Sequence, residues 1–159
     1  VIEHIPSNLL ARKILRTAAM ISESHIIIRQ PYFDCDGSLA RMGLKFYWSD
    51  WPTGHTNHMT SLQLYLALKV LRDEGLLSGF SIWGNDRIAS TDSNCIIPLD
   101  SAANRHQYDA STDSPKQSVD LSFECFREIF AYAAVSENVD VNTLPKPLSN
   151  QAEILLCVE

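Results

Sequence analysis

Apolar positions along this chain switch between helical and strand spacing, and the switches mark its elements. Segment 7–21 (SNLLARKILRTAAMI) places Leu9, Leu10, Ile14 and Ala18 at helical spacing, with Arg12, Lys13 and Arg16 clustered on the other side. Ser7 or Asn8 can cap it, and Pro6 prevents backward extension. His25-Ile-Ile-Ile28 reads as a short strand. Segment 60–74 (TSLQLYLALKVLRDE) is the clearest helix, capped by Thr60 or Ser61 and stopped by Gly75. Two apolar rows, Leu62/Leu66/Val70 and Leu64/Leu68/Leu71, predict that it is largely buried. Phe80-Ser-Ile-Trp83 alternates as a strand, and Gly84-Asn85-Asp86 carries a turn signal. Phe123, Phe126 and Phe130 at i, i+3 and i+7 predict a short helix over 122–131, followed by a strand at Tyr132–Val135 and a closing strand at Ile154–Val158.

Between these elements the periodicity breaks. From Arg29 to Met59 it is punctuated by Pro31, Gly37, Gly43, Pro52 and Gly54, with one strand expected at Leu44–Trp48. This stretch reads as an irregular insertion whose Trp48 and Trp51 are expected to pack on a partner protein. Ala89–Leu99 is expected to hold a strand around Cys95-Ile-Ile97, and Val119–Leu121 another. The polar stretch Ser101–Lys116 and the Pro145/Pro147 stretch Asn138–Asn150 read as loops. The expected fold is α/β in the α+β sense, in two small lobes. Residues 1–94 carry helices on a small sheet plus the insertion 29–59. Residues 95–159 form a mostly β lobe with one short helix.

Composition narrows the function classes. The chain has 159 residues, 45% hydrophobic and 20% charged, which excludes a disordered polar chain. No run approaches the roughly 20 apolar residues of a membrane helix, so no membrane partner is expected. Net charge is -6, unevenly placed: residues 1–80 hold 8 Lys/Arg against 7 Asp/Glu, and residues 81–159 hold 5 against 12. A generic electrostatic nucleic-acid binder is basic, so any RNA role has to rest on particular residues. Cys35, Cys95, Cys125 and Cys157 form no C-x-x-C pair. They read as reduced thiols, pointing to cytosol, nucleus or mitochondrial matrix.

Two motifs invite a chemical reading. Phe33-Asp-Cys-Asp-Gly-Ser38 resembles the first motif of haloacid-dehalogenase-type phosphatases, in which Asp34 is nucleophile, Asp36 general acid/base, and magnesium neutralises phosphate. Gln30 and Pro31 interrupt the buried strand that should precede it, and Asn85 stands where the later acidic motif wants Asp. This remains an alternative reading. His55-x-x-His58 has metal-ligand residue types but lies in a loop beside Pro52 and Gly54, so the pair reads as solvated histidines. No metal, cofactor, catalytic group or small-molecule substrate is expected. No G-x-S-x-G elbow and no Gly-rich phosphate loop is present.

Several ordered segments resemble one family, ribosomal small-subunit protein eight (uS-eight), most closely its mitochondrial members. Segment 62–82 (LQLYLALKVLRDEGLLSGFSI) is similar to that family's second helix and following strand, carried by Leu68, Leu71, Glu74, Gly75, Leu77, Gly79 and Phe80. Segment 153–158 (EILLCV) resembles its terminal strand. Counting back from Glu153 places Ser136 on the second serine of the family's Ser-Thr-Ser-Lys-Gly loop, and Val119–Ile129 on its short strand and third helix. Asn8–Ala18 is similar to the opening helix. The chain departs from the pattern at Ala134, Val135, Glu137 and Asn138 in the loop, and at Gln151-Ala152 before the last strand. Ser111–Ser118 keeps one cation, Lys116, where the family is basic.

The resemblance implies a non-catalytic structural constituent of the small ribosomal subunit, in the mitochondrial matrix rather than on cytoplasmic ribosomes. Its partners would be small-subunit rRNA and other ribosomal proteins. The implied RNA contacts are Arg12, Lys13, Arg16 and Lys146 through phosphates, and Ser136, Asn138, Asn142 and Thr143 through hydrogen bonds. An acidic protein-binding module is the second alternative.

Overall fold

A computed structural model describes residues 1–51, 54–135 and 152–158. The elements run in the order α1 (Asn8–Ile21), β1 (His25–Pro31), α2 (Asp36–Arg41), β2 (Leu44–Phe46), α3 (Ser61–Asp73), β3 (Gly79–Arg87), β4 (Ile96–Pro98), β5 (Phe126–Ala134) and β6 (Glu153–Val158), with 3-10 turns at Ile2–His4 and Tyr47–Asp50. The fold is α+β. Four strands form one sheet in the order β1-β5-β3-β6, every pair antiparallel, and β2 pairs with β4 in a second small sheet. The division expected after residue 94 falls between strands of shared sheets: β5 sits between β1 and β3, and β4 pairs with β2.

Local chemistry explains the helix ends. Ser7 caps α1 by accepting from the Leu10 amide. Thr60 and Gln63 form a reciprocal capping box at the start of α3. At its end Gly75 adopts φ +76. The Gly75 amide donates to Arg72 O and the Leu76 amide to Leu71 O, the two bonds of a Schellman motif.

Both long helices cover one face of the sheet. Ala11, Leu15 and Ala19 of α1 and Leu64, Ala67, Leu68 and Leu71 of α3 share a core with Ile28, Phe80, Ile82, Ala131 and Ala133. Tyr65 of α3 meets Phe80 edge-on at 5.6 Å. Of the two apolar rows expected on α3, Leu64/Leu68/Leu71 is buried, whereas Leu62, Leu66 and Val70 are exposed. The expectation of a largely buried helix is therefore corrected to burial of one row.

Other expectations are also corrected. Residues 126–131, expected in a helix, belong to β5. Its register against β1 and β3 turns Ile129, Ala131 and Ala133 toward the core and Phe130 and Tyr132 to the opposite face. Pairing on both sides and aromatic strand preference outweigh the helical Phe spacing. Gly84-Asn85 is strand interior, because β3 runs on to Arg87. The Gly84 backbone lies directly under the Phe126 ring: a Cβ there would meet ring carbons at 2.6 Å. Val119–Leu121 contributes one isolated bridge, Ser90 to Asp120. The strand expected at Leu44–Trp48 ends at Phe46. Pro31 is tolerated because β1 is an edge strand.

The stretch 29–59 is part of the core rather than an appendage. Tyr32, Phe33, Leu39, Phe46, Trp48 and Met59 are all buried in it. Among the described residues no helix is long and apolar enough to cross a membrane.

Candidate functional site

Helix α1 presents Arg12, Lys13 and Arg16 to solvent. Arg16 is spent on Glu74 at the end of α3. Among the described residues no ion pair engages Arg12 or Lys13. Most other described cations are engaged within the chain, several of them at its surface. Lys45, 9% exposed, reaches Asp50 at 2.6 Å and the carbonyls of Leu99 and Ser101. Lys116 donates to Ser93 O and Ile96 O and sits 4.5 Å from the Tyr108 ring centroid. Burial lowers its pKa. Arg29 pairs with Glu128, Lys69 with Asp73, Arg87 with Glu153, and Arg105 with Asp109 and Asp113. Arg12 and Lys13 thus stand on α1 as exposed cations, as do Arg41 and Arg127 elsewhere among the described residues. Ser136, Asn138, Asn142, Thr143 and Lys146 lie outside the described residues.

Among the described residues two apolar surfaces are uncovered. One is the solvent side of the helices, with Leu10 and Ile14 on α1 and Leu62, Leu66 and Val70 on α3. The other is the sheet face opposite the helices, where Ile27 is 51% and Ile154 56% exposed. There Arg29 lies over the Phe130 ring at 5.3 Å, and Phe130 stacks beside Tyr132 at 6.4 Å. Burial pushes the Tyr132 phenol up. The helical spacing of Phe123, Phe126 and Phe130 masks this face in the sequence; strand alternation through 128, 130 and 132 is the signal that marks it.

Trp48, expected at a partner surface, is corrected to a core residue. It is 3% exposed, stacks on Phe46 at 4.3 Å, and donates its indole N–H to Tyr32 O. Trp51 is half-buried and donates to Arg105 O.

The acidic Gly motif serves the fold. Both oxygens of Asp34 accept from the Ser61 amide, at 3.2 and 3.0 Å, and one accepts the Ser61 hydroxyl at 2.6 Å. Asp34 therefore satisfies an otherwise orphaned amide in the first turn of α3. Asp36 accepts from Ser49 at 2.7 Å and faces His58 Nδ1 at 3.2 Å. Hydrogen bonding to Asp36 raises the His58 pKa, with burial opposing. The His58 ring lies flat on Phe33 at 4.4 Å.

His55 is 9% exposed rather than solvated. Burial lowers its pKa, against a raising hydrogen bond to Trp48 O. It turns toward Glu3 and His4, which the chain order alone did not associate with it. Cys35, Cys95 and Cys125 are free thiols. The Cys35–Cys125 hydrogen bond and burial hold the Cys125 thiol protonated. Comparison with family models, with curated proteins and with solved structures finds no match.

Proposed function

We propose that this chain is a structural, non-catalytic component of the small ribosomal subunit, a divergent uS-eight-like protein of the mitochondrial matrix. It would hold rRNA through few contacts and neighbouring proteins through apolar ones. One observation carries the reading. The two segments with the fullest resemblance take the helix–strand and strand forms it implies: 62–82 runs through α3 into β3, and 153–158 is β6. The pairing of β6 with β3, Phe80 opposite Val158, departs from the separate lobes expected. Val119–Ile129 departs from the resemblance, because its end enters β5 instead of a third helix.

The charge layout supports a modest RNA share. Arg12 and Lys13 are exposed and carry no ion pair among the described residues, whereas Arg16, Arg29, Lys69 and Arg87 are paired within the chain at its surface. Two neutralised phosphates correspond to a salt slope of about -2 in log K against log salt, shallow for a nucleic-acid binder. The rows Leu62/Leu66/Val70 and Leu10/Ile14 suit packing against neighbouring proteins. An acidic protein-binding module would share these rows but would not sediment with ribosomes. The phosphatase alternative draws less support: Asp34 follows an antiparallel edge strand, and both its oxygens are engaged by Ser61.

Sucrose-gradient fractionation of matrix extract tests the proposal. The chain is expected in the small-subunit peak at moderate salt, and Arg12→Glu/Lys13→Glu should lower its occupancy there. Recovery solely in the light fractions would defeat it.

A further inference from the structure

We propose that Glu3, His4 and His55 form a binding site for a divalent transition ion of the zinc class. One ligand atom from each side chain lies within 4.8 Å of the others, and His4 Nε2 is 3.4 Å from Glu3 Oε1. Small side-chain adjustments bring such a set onto one ion at the 2.0–2.2 Å zinc–ligand distances.

Each imidazole is already oriented for this task. His4 Nδ1–H donates to Gly54 O at 2.8 Å, and His55 Nδ1–H donates to Trp48 O at 2.7 Å. A carbonyl only accepts, so in the neutral rings the proton sits on Nδ1 and the lone pair on Nε2. Backbone-carbonyl support of the second nitrogen is the usual outer arrangement around metal-bound histidine. The 3-10 turn that carries Glu3 and His4 is itself pinned to the loop that carries His55. The Asn57 amide donates to Glu3 O at 3.1 Å, and its side chain donates to Ile2 O at 3.4 Å. The ligands therefore do not have to be gathered from mobile segments.

Two imidazoles and one carboxylate suit zinc and neighbouring first-row ions, not magnesium or calcium, which take oxygen ligands. Glu3 and His55 also line a cleft of about 320 Å³ together with Arg29, Gln30, Trp51 and Glu128. A fourth ligand position thus opens onto space large enough for water. In the sequence, His55 looked paired with His58. In the fold His58 turns to Asp36, and the partners of His55 come from the start of the chain.

The test is calorimetric titration of the untagged, intact chain with Zn²⁺, alongside visible absorption with Co²⁺. Saturable binding of one ion per chain at micromolar or tighter Kd is expected, with Co²⁺ bands in the visible. His4→Asn alters an exposed ring and should leave the fold intact by circular dichroism, yet weaken binding at least about tenfold. His58→Asn should leave the affinity unchanged. Absence of saturable Zn²⁺ binding, unchanged affinity in folded His4→Asn, or loss of binding in His58→Asn would overturn the proposal.

Discussion

Gly84→Ala tests the packing at the centre of the sheet. A Cβ on residue 84 would lie 2.6 Å from two ring carbons of Phe126 and 2.7 Å from a third. Comfortable carbon contacts are about 3.5–4.0 Å, so ring or strand must yield by about 1 Å. Phe126 has no room to yield: it is fully buried, and its ring meets Tyr32 edge-on at 5.5 Å. Overpacking of this kind costs about 1–3 kcal/mol. The lower chain entropy of unfolded alanine offsets about 0.5–1 kcal/mol of it. A net loss of about 1 kcal/mol corresponds to a Tm lower by about 2–4 °C for a chain of this size. Urea unfolding should show a lower midpoint at unchanged slope. Phe126→Leu alone should also destabilise, by leaving a cavity. The double variant Gly84→Ala/Phe126→Leu should lose less than the two single losses combined, with coupling of about 1 kcal/mol or more. A neutral Gly84→Ala, or strictly additive losses, would refute the close approach.

Two further substitutions probe other parts of the fold. Gly75→Ala meets no atom within 4 Å but must hold φ +76, so thermal unfolding should register a loss of about 1 kcal/mol from backbone strain alone. His58 has a pKa raised by Asp36, so its pairing stabilises the fold fully below the unfolded value near 6.5 and fades as pH climbs through the raised folded value. His58→Asn should therefore cost stability at about pH 5.5, by about 0.5 kcal/mol given the partial exposure of the pair, and little at about pH 8.5. A larger loss at the higher pH would contradict that sign.

What could be read from the sequence was local. Thr60, Gln63 and Gly75 mark both ends of α3 by chemistry confined to a few neighbouring residues, and Ser7 does the same for α1. The terminal strand was legible because its apolar run is short and bounded. Phe126–Ala134 was not, since its aromatic spacing fits a helix and only pairing with β1 and β3 decides otherwise. Gly84 signalled a turn by composition, but its actual reason is the Phe126 ring that lies on it. The two apolar rows of α3 were visible, while the choice of which row faces the sheet depends on Phe80, Ile82 and α1. The candidate metal ligands were hidden for the same reason. Glu3 and His4 lie far from His55 in the chain and meet it only because Asn57 ties the first turn to the later loop.

Ultraviolet cross-linking of purified mitochondrial small subunits, read by mass spectrometry, is the most direct test of the ribosomal role. Nucleotide adducts are expected on the α1 peptide containing Arg12 and Lys13, with chemical cross-links joining Lys69 on the exposed side of α3 to neighbouring proteins. Subunits that lack the chain, or that contain it with no nucleotide on any of its peptides, would contradict the proposed role.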